Sequence, residues 1–397
     1  NGFLLLSGSF HGNISGGNCW LMANGTINGE FNLLPNLINM TFDDTHHRSI
    51  DNYFGLNASN VTQQFGLGSE EWIENINGKR LPELHTRVLR FPGGSDANWW
   101  RWQTGWFRGY NNPAYNDDEA MPGIKYGDNL PMPEYCLDGL PWDLNSKKWQ
   151  PNGLLDFKEM LTKGSCFPMF DLNMLSSDAG TEIGALFYAH CNNIPVKYIE
   201  LGNEFALEGE EAFDLYPTSY EYFEKMHHYS SYIKEFFPDV KIAAVSTTSK
   251  GLEPDRRNTW NDGLQTFLTA LGTQPEFNAL TFHVYPSLFI DKANFQDCNL
   301  ELYMSNTTLM GQILSTPYKT FDDLENNEFQ ILDQSTYNFE GWITEYNQED
   351  DQYNFHGRWA HGLFTTLMTL RALENSLITK VTCFELIHSA NRDVVFS

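Results

Sequence analysis

A (β/α)8 barrel is the fold class that the sequence predicts, with additional N-terminal β-strands that could belong to an accessory β-sandwich. Three observations predict it. Short apolar runs recur down the chain, each closing on a polar cluster and most followed by a helical pattern, which is the signature of βα units and a parallel sheet. Eight such runs can be read, the number that closes a barrel. A length of 397 residues suits one large barrel without a split into separate cores.

The elements follow in chain order. Residues 1–50 are rich in Gly and Asn with short β-like runs such as LINMTF (37–42), so strands outside the barrel are expected there. No repeat is read beyond the βα period. The barrel strands are expected at YFGLN (53–57), RVLRF (87–91), CFPMFDL (166–172), VKYIEL (196–201), VKIAAV (240–245), ALTFHVY (279–285), GWITEY (341–346) and VTCFELI (381–387). Residues 96–153 and most of 286–338 are too long for simple βα loops. The first of them carries Trp99, Trp100, Trp102, Trp106 and other rings, as a ring-lined wall would. After the fourth strand, Thr218 to Glu221 has capping-box spacing, and Tyr222, Met226, Tyr229, Ile233 and Phe236 set one apolar helix face. Trp359, Leu363, Thr366 and Leu370 set a similar stripe after the seventh. The domain reading is a glycosylated β-rich segment at 1–50 and a barrel at 51–397, the chain being either truncated before a C-terminal β-sandwich or without that module.

Composition narrows the function classes. With 51 acids against 25 bases the formal charge is -26, which repels nucleic acid, anionic membrane and heavily sulfated polymers. No window approaches twenty uninterrupted apolar residues, so no membrane insertion is expected. The opening NGFLLLSGSF lacks the basic region and length of a signal peptide, and a first residue Asn suggests a processed or trimmed chain. N-x-Ser/Thr sequons at Asn13, Asn24, Asn39, Asn57, Asn60 and Asn306 point to a secreted or lysosomal glycoprotein. The six cysteines have no C-x-x-C spacing; one or two disulfides between loops are expected, with Cys166 and Cys383 as buried free thiols.

In a barrel the C-terminal strand ends converge on one mouth. Those ends supply Arg90 with Gly93, Gly94 and Asp96; Asp171 and Asn173; Asn203 and Glu204; His283 and Tyr285; Glu345, Tyr346 and Asn347; and Glu385 with His388. Glu204 and Glu345, on the fourth and seventh strands, face one another across such a mouth. Two carboxylates roughly 5 Å apart are what glycoside hydrolysis with retention needs: one protonates the leaving oxygen, the other attacks the anomeric carbon. The proton donor needs a raised pKa, from apolar surroundings or the neighbouring carboxylate, and the nucleophile needs donors that keep it ionised. Arg90 is a suitable cation and the Tyr285 hydroxyl a suitable donor.

The motifs L-G-N-E (201–204), I-T-E-Y (343–346), L-R-F-P-G-G (89–94) and F-H-V-Y (282–285), in this order on these strands, resemble clan A glycoside hydrolases. Within the clan they most resemble the heparanase and β-glucuronidase family 79, with families 51 and 39 as near alternatives. The resemblance implies that Glu204 is the acid/base and Glu345 the nucleophile, that Asn203 bonds the sugar hydroxyl beside the reacting carbon, and that Arg90 and Tyr285 hold Glu345 while His283 lines the cleft. It implies a carbohydrate substrate and neither cofactor nor metal. Asn98, Trp99, Asp96, Asp171, Asn173 and Asn347 complete the substrate-binding or orienting set. One departure bears on specificity. In family 79 a glycine-rich run after the nucleophile grips the uronic carboxylate, whereas here Glu345 is followed by YNQEDDQYN, whose Glu349, Asp350 and Asp351 would repel a uronate.

Bland readings stand beside these. Glu204 could be an exposed strand-end acid, Glu345 a loop carboxylate, and His283 a hydrogen-bonded core residue. Glu200 alternates with Tyr198 and Gly202 and is placed pointing into the barrel as a buried pair; Glu208, Glu210 and Glu211 read as solvated charge. His46-His47 and His227-His228 lack the spacing of a metal site, and Gly93-Gly94 lacks the lysine of a phosphate loop. The alternative to hydrolysis is a catalytically silent carbohydrate-binding or structural glycoprotein on the same fold.

Overall fold

The computed structural model describes the short strands within residues 2–32 and then residues 50–58, 83–107, 142–143, 148–149, 153–207, 210–248, 256–288, 306–333, 337–349 and 359–384. The chain divides into two compact units, Asn1–Ile50 and Asp51–Ser397.

The first unit holds β1 (Gly2–Ser7), β2 (Phe10–His11), β3 (Ile14–Ser15), β4 (Cys19–Asn24), β5 (Ile27–Asn28) and β6 (Phe31–Asn32). They form three parallel pairs, unlike the antiparallel sheets of a β-sandwich. Gly2 faces Cys19, Phe10 faces Ile27 and Ile14 faces Phe31, a constant offset of 17 residues. Two successive turns of chain are therefore laid one on the other, strand on strand. This corrects the expectation of no repeat: Gly8, Phe10, Gly12 and Ile14 recur as Gly25, Ile27, Gly29 and Phe31. LINMTF lies outside the described residues.

In the second unit eight parallel strands close a barrel: β7 (Phe54–Asn57), β8 (Val88–Phe91), β13 (Phe167–Asp171), β14 (Tyr198–Glu200), β15 (Lys241–Val245), β16 (Ala279–Val284), β17 (Glu340–Tyr346) and β18 (Ile378–Cys383). All eight runs expected from the sequence are present, and β18 begins earlier than its run because Ile378 and Lys380 continue the alternation. Strands β7 and β18 seal the cylinder through Phe54 and Val381. The short ribbons β9 (Trp100–Arg101) with β10 (Trp106–Phe107), and β11 (Trp142–Asp143) with β12 (Lys148–Trp149), lie in the long loop after β8.

Helices cover the outside: α1 (Leu154–Gly164), α2 (Ala179–Cys191), α3 (Glu210–Leu215), α4 (Ser219–Phe236), α5 (Arg257–Leu271), α6 (Thr307–Asn326), α7 (Gln330–Asp333) and α8 (Trp359–Glu374). The Thr218–Glu221 capping box starts α4 as expected, and Tyr222, Met226 and Ile233 are buried. Phe236 is not: it is 54% exposed in the last turn and meets Phe187 edge-on. On α8 the buried face is Ala360, Phe364, Met368 and Ala372, one residue round from the expected stripe, and Leu370 is 48% exposed. The span 286–338 is no plain loop. It contains α6, capped by Asn306 and packed through Leu309, Ile313, Pro317 and Phe321, four residues apart each time.

Inside the barrel, side chains from alternate positions form layers. Val88, Met169, Tyr198, Ala243, Ala279 and Trp342 plug the floor. Two residues further along the same strands lie Arg90, Asp171, Glu200, Val245, Thr281 and Thr344, the layer beneath the mouth.

Candidate active site

Arg90 organises the mouth. Fully buried, it gives Nε to Glu200 at 2.5 Å, Nη1 to Glu345 at 2.6 Å and to Asn57 Oδ1 at 2.9 Å, and Nη2 to Asn203 Oδ1 at 2.9 Å. Asp171 Oδ2 is an ion-pair contact 2.7 Å from Nη2. Burial opposes the guanidinium's charge, and the carboxylates of Asp171, Glu200 and Glu345 more than offset it, so its pKa is raised. Glu200 is thus the buried partner that alternation placed inside the barrel. Burial favours its neutral form, but the Arg90 and His283 charges win and hold it at about 2. Asp171 goes the other way: burial, then Glu200 and Glu345, outweigh Arg90 and push its pKa well up.

Glu345 receives Arg90 on Oε1 and the Tyr285 hydroxyl, 2.7 Å away, on Oε2. Two donors, one on each oxygen, fix the orientation of this carboxylate. Opposite it, Glu204 accepts from His283 Nδ1 at 2.8 Å, and its side chain is 27% exposed. Glu204 has φ 53° and lies two residues after Gly202, whose φ is 93° and where a Cβ would come within 2.2 Å of the Phe205 ring. That left-handed turn lifts the carboxylate out of the strand line into the mouth, at a backbone cost of about 1–3 kcal/mol for a non-glycine residue. Gly93 plays the same part after β8: at φ 74° a Cβ there would strike Asn57 Oδ1 at 2.4 Å.

Burial raises the pKa of Glu204, but the hydrogen bond and charge of His283 more than reverse this and leave it lowered. The expectation of a raised proton-donor pKa is corrected accordingly. His283 is instead driven up to about 10: burial works against its charge, and Glu345, Glu200 and Glu204 outweigh that. The two shifts together favour a proton on the imidazole, hydrogen-bonded to the Glu204 carboxylate.

The other expected residues separate into roles. Asn203 keeps Nδ2 buried with no protein partner among the described residues, a donor left for a ligand. Asn98 bonds the backbone of Asn203 on both sides, and Asn173 ties Trp100 to Ser176, so both brace the loops from behind. Asn347 is held by His361 and the Phe384 carbonyl, facing α8. Trp99 is only 8% exposed and belongs to the core, as does Trp100, edge-on to Phe91. The described rings of that loop pack inward rather than presenting a stacking wall. Asp96 lies half-buried in the 3-10 turn Ser95–Asn98. Glu385, His388, Asp350 and Asp351 lie outside the described residues.

Asn57 corrects the sequon reading. It is fully buried in β7, where Nδ2 donates to Thr344 O at 2.9 Å, so no glycan can be attached. Asn306 is half-buried as the cap of α6, Asn24 ends β4, and Asn13, Asn39 and Asn60 lie outside the described residues. Cys166 and Cys383 are buried free thiols as expected, and Cys191 is an exposed one; Cys136 and Cys298 are not among the described residues, nor is the side chain of Cys19.

Sequence reasoning did not single out Thr344, Thr382, Ser246, Thr247 or Thr248. The last three line a cavity of about 370 Å³ with Glu204, His283, Tyr285, Glu345 and Glu349. One ligand atom each from Glu204, His283 and Glu345 lies within 4.8 Å of the others. These atoms are already committed, Glu345 to Arg90 and Tyr285 and Glu204 to His283, and the guanidinium beside them opposes a second cation. The donor set suits proton transfer and nucleophilic attack better than metal binding.

Solved α-L-arabinofuranosidases have this architecture. The enzyme from Thermotoga maritima, in complex with arabinose, matches at TM-score 0.52 with 15% identity over 86% of this chain and 65% of its own. The family 51 enzyme from Bifidobacterium longum matches at TM-score 0.56 with 14% identity over 85% of this chain and 67% of its own. That from Xanthomonas axonopodis pv. citri matches at 0.55 with 13% identity, over 85% and 67% respectively. The chain shares the barrel fold of these enzymes. It spans about 65% of the length of the Thermotoga enzyme. Family 51 is one of the clan A families that the strand-end motifs resemble. No family model and no curated protein sequence matches the chain.

Proposed function

We propose that the protein is a retaining glycoside hydrolase acting on an oligo- or polysaccharide of neutral sugars, with Glu345 as nucleophile and Glu204 as acid/base. The observation that carries this reading is the approach of the two carboxylates, whose nearest oxygens lie within 4.8 Å. Double displacement uses a separation of about 5–5.5 Å, whereas inversion needs about 6.5–9.5 Å to admit a water. In the first step Glu345 bonds to the anomeric carbon as the glycosidic bond breaks, and the proton held between Glu204 and His283 passes to the leaving oxygen. Water then attacks the same carbon, gives its proton back to Glu204, and frees Glu345. Asn203 Nδ2 is a donor for the hydroxyl beside the reacting carbon. The reading includes a secreted or lysosomal setting, for which the Asn24 and Asn306 sequons are the support among described residues.

Neutral sugars are favoured because Glu349 stands on the cavity wall with the two reacting acids, and no described lining residue is Lys or Arg. A uronic carboxylate would meet like charge there. The test is a panel of aryl glucuronide, arabinofuranoside, xyloside, galactoside and fucoside, with the product anomer followed by NMR. Retention and a loss on the order of 10⁴-fold in Glu345→Gln are expected. An inverted product rejects the mechanism, and glycan binding without hydrolysis of any substrate gives the silent carbohydrate-binding protein instead.

A further inference from the structure

We infer that Thr344 is a positioning residue of this site: its hydroxyl, held by Glu200, keeps a proton on Nε2 of His283 and thereby leaves Nδ1 to share one exchangeable proton with Glu204. The catalytic consequence rests on the glycosidase reading.

Strand β17 breaks its alternation here. Trp342 and Thr344 point into the barrel, so a regular strand would send Glu345 outward. The register with β16 slips instead: Phe282 faces Ile343, but His283 faces Glu345, and Thr344 is the extra residue. The slip turns Glu345 inward beside His283, sends Tyr346 out to Thr369 on α8, and leaves Thr344 beneath both catalytic-layer side chains. The Thr344 carbonyl, displaced from the ladder, accepts from Asn57 Nδ2 at 2.9 Å and from the Thr382 hydroxyl. The bulge is therefore pinned from two other strands.

The proton count follows from the donors. A threonine hydroxyl has one hydrogen. Thr344 gives it to Glu200 Oε1 at 2.9 Å, and Glu200, ion-paired to Arg90, has only lone pairs to offer. The Thr344 oxygen therefore presents lone pairs to His283 Nε2, 3.1 Å away, so Nε2 must carry the hydrogen of that bond. The only ring position left to load and unload is Nδ1, 2.8 Å from Glu204 Oε1. The charged groups around the ring are Glu204, Glu345 at 3.6 Å and Glu200 at 3.9 Å, with Arg90 and Asp171 behind them, Tyr285 on Glu345 and Glu349 on the cavity wall. Were Nδ1 the permanently protonated nitrogen, Glu204 would face a fixed donor and could not reload from the ring.

The test compares Thr344→Val, similar in shape but without the hydroxyl, with Thr344→Ser. For aryl glycosides with poor leaving groups, which need protonation, the Val variant should lose about 10-fold or more in kcat with KM held. Dinitrophenyl glycosides, which leave unassisted, should be nearly unaffected in kcat/KM, which reports the first step alone; the alkaline limb of the pH profile should move, and Ser should restore all three. A loss equal across leaving groups, or an unmoved pH profile, overturns the inference. Ring 15N spectra, assigned with His283→Asn, read the proton without turnover. Nε2 is expected protonated across the pH range in wild type, and an unprotonated Nε2 overturns the inference whether or not any glycoside is cleaved. The expected ring state in a protein that cleaves nothing defeats the glycosidase reading alone.

Discussion

The floor and the mouth of the barrel interior are two residues apart on the same strands, and they solve opposite problems. At the floor Val88, Met169, Tyr198, Ala243, Ala279 and Trp342 fill space, and Tyr198 meets Trp342 edge-on at 5.8 Å. Charge reaches it as Lys380, whose ammonium lies 3.9 Å over the Tyr198 ring, and as Lys197, 4.3 Å over Phe167. At the mouth Arg90, Asp171, Glu200, Thr344, His283 and Glu345 replace that packing with a hydrogen-bonded charge network. Alternation places both layers inside. What differs is that removing floor atoms leaves a void, whereas removing a mouth atom leaves an uncompensated charge. Both layers hold the fold together, and the groups able to do chemistry are confined to the mouth.

The sharpest way to test that contrast is Arg90→Leu. It strands three buried acids, so a loss of about 3–5 kcal/mol of unfolding free energy in urea titration is expected together with loss of hydrolysis. Unchanged stability would mean that the mouth network is not charge-balanced through Arg90. Trp342→Ala should cost a similar 3–5 kcal/mol through cavity formation while leaving kcat/KM per folded molecule unchanged; a fall in activity would show that the floor supports the chemistry. Lys380→Met comes next. Burial lowers the Lys380 pKa from 10.5 to about 8, so unfolding takes up a proton in between and wild-type stability rises with pH across that window on this group's account. The Met variant should lack the rise. His283 has the opposite sign: raised from 6.5 to about 10, it stabilises below pH 6.5 and loses that contribution as pH rises to 10. Chemical denaturation from pH 6 to 11 separates the two. The smallest effect is expected for exposed Glu349→Gln, which should ease discrimination against a glucuronide about two- to fivefold in kcat/KM; equal rates on glucuronide and xyloside in wild type would remove Glu349 from specificity.

The mouth was legible where a buried strand ends on an unusual polar residue. Arg90, Glu204, His283, Tyr285 and Glu345 each follow an apolar run, and simple alternation placed Glu200 inside. Thr344 escaped because its role depends on a register slip against β16, about sixty residues away in sequence, and no local pattern encodes that. Asn57 was misassigned for a related reason: N-A-S reads as a sequon until β7 is known to close the barrel with Asn57 facing inward. The α8 stripe failed because Trp359 and Leu370 outweighed the smaller Ala360 and Ala372, although small residues suit the close approach of a helix to the sheet. The 17-residue period at the N-terminus was present in plain Gly and aromatic spacing, but at half the length of a βα unit.

The pinned bulge also sets an order of assembly. Asn57 and the Thr344 carbonyl are 287 residues apart, and Arg90 and Glu345 are 255 apart. Of the barrel strands, β7 and β8 emerge first during synthesis and β17 and β18 last. Floor and helix packing between neighbouring strands can form as each βα unit appears, but the charge network cannot close until the last quarter is present. A ribosome-bound or prematurely ended chain lacking β17 would hold Arg90 and Glu200 without Glu345, a half-built mouth for chaperones to recognise.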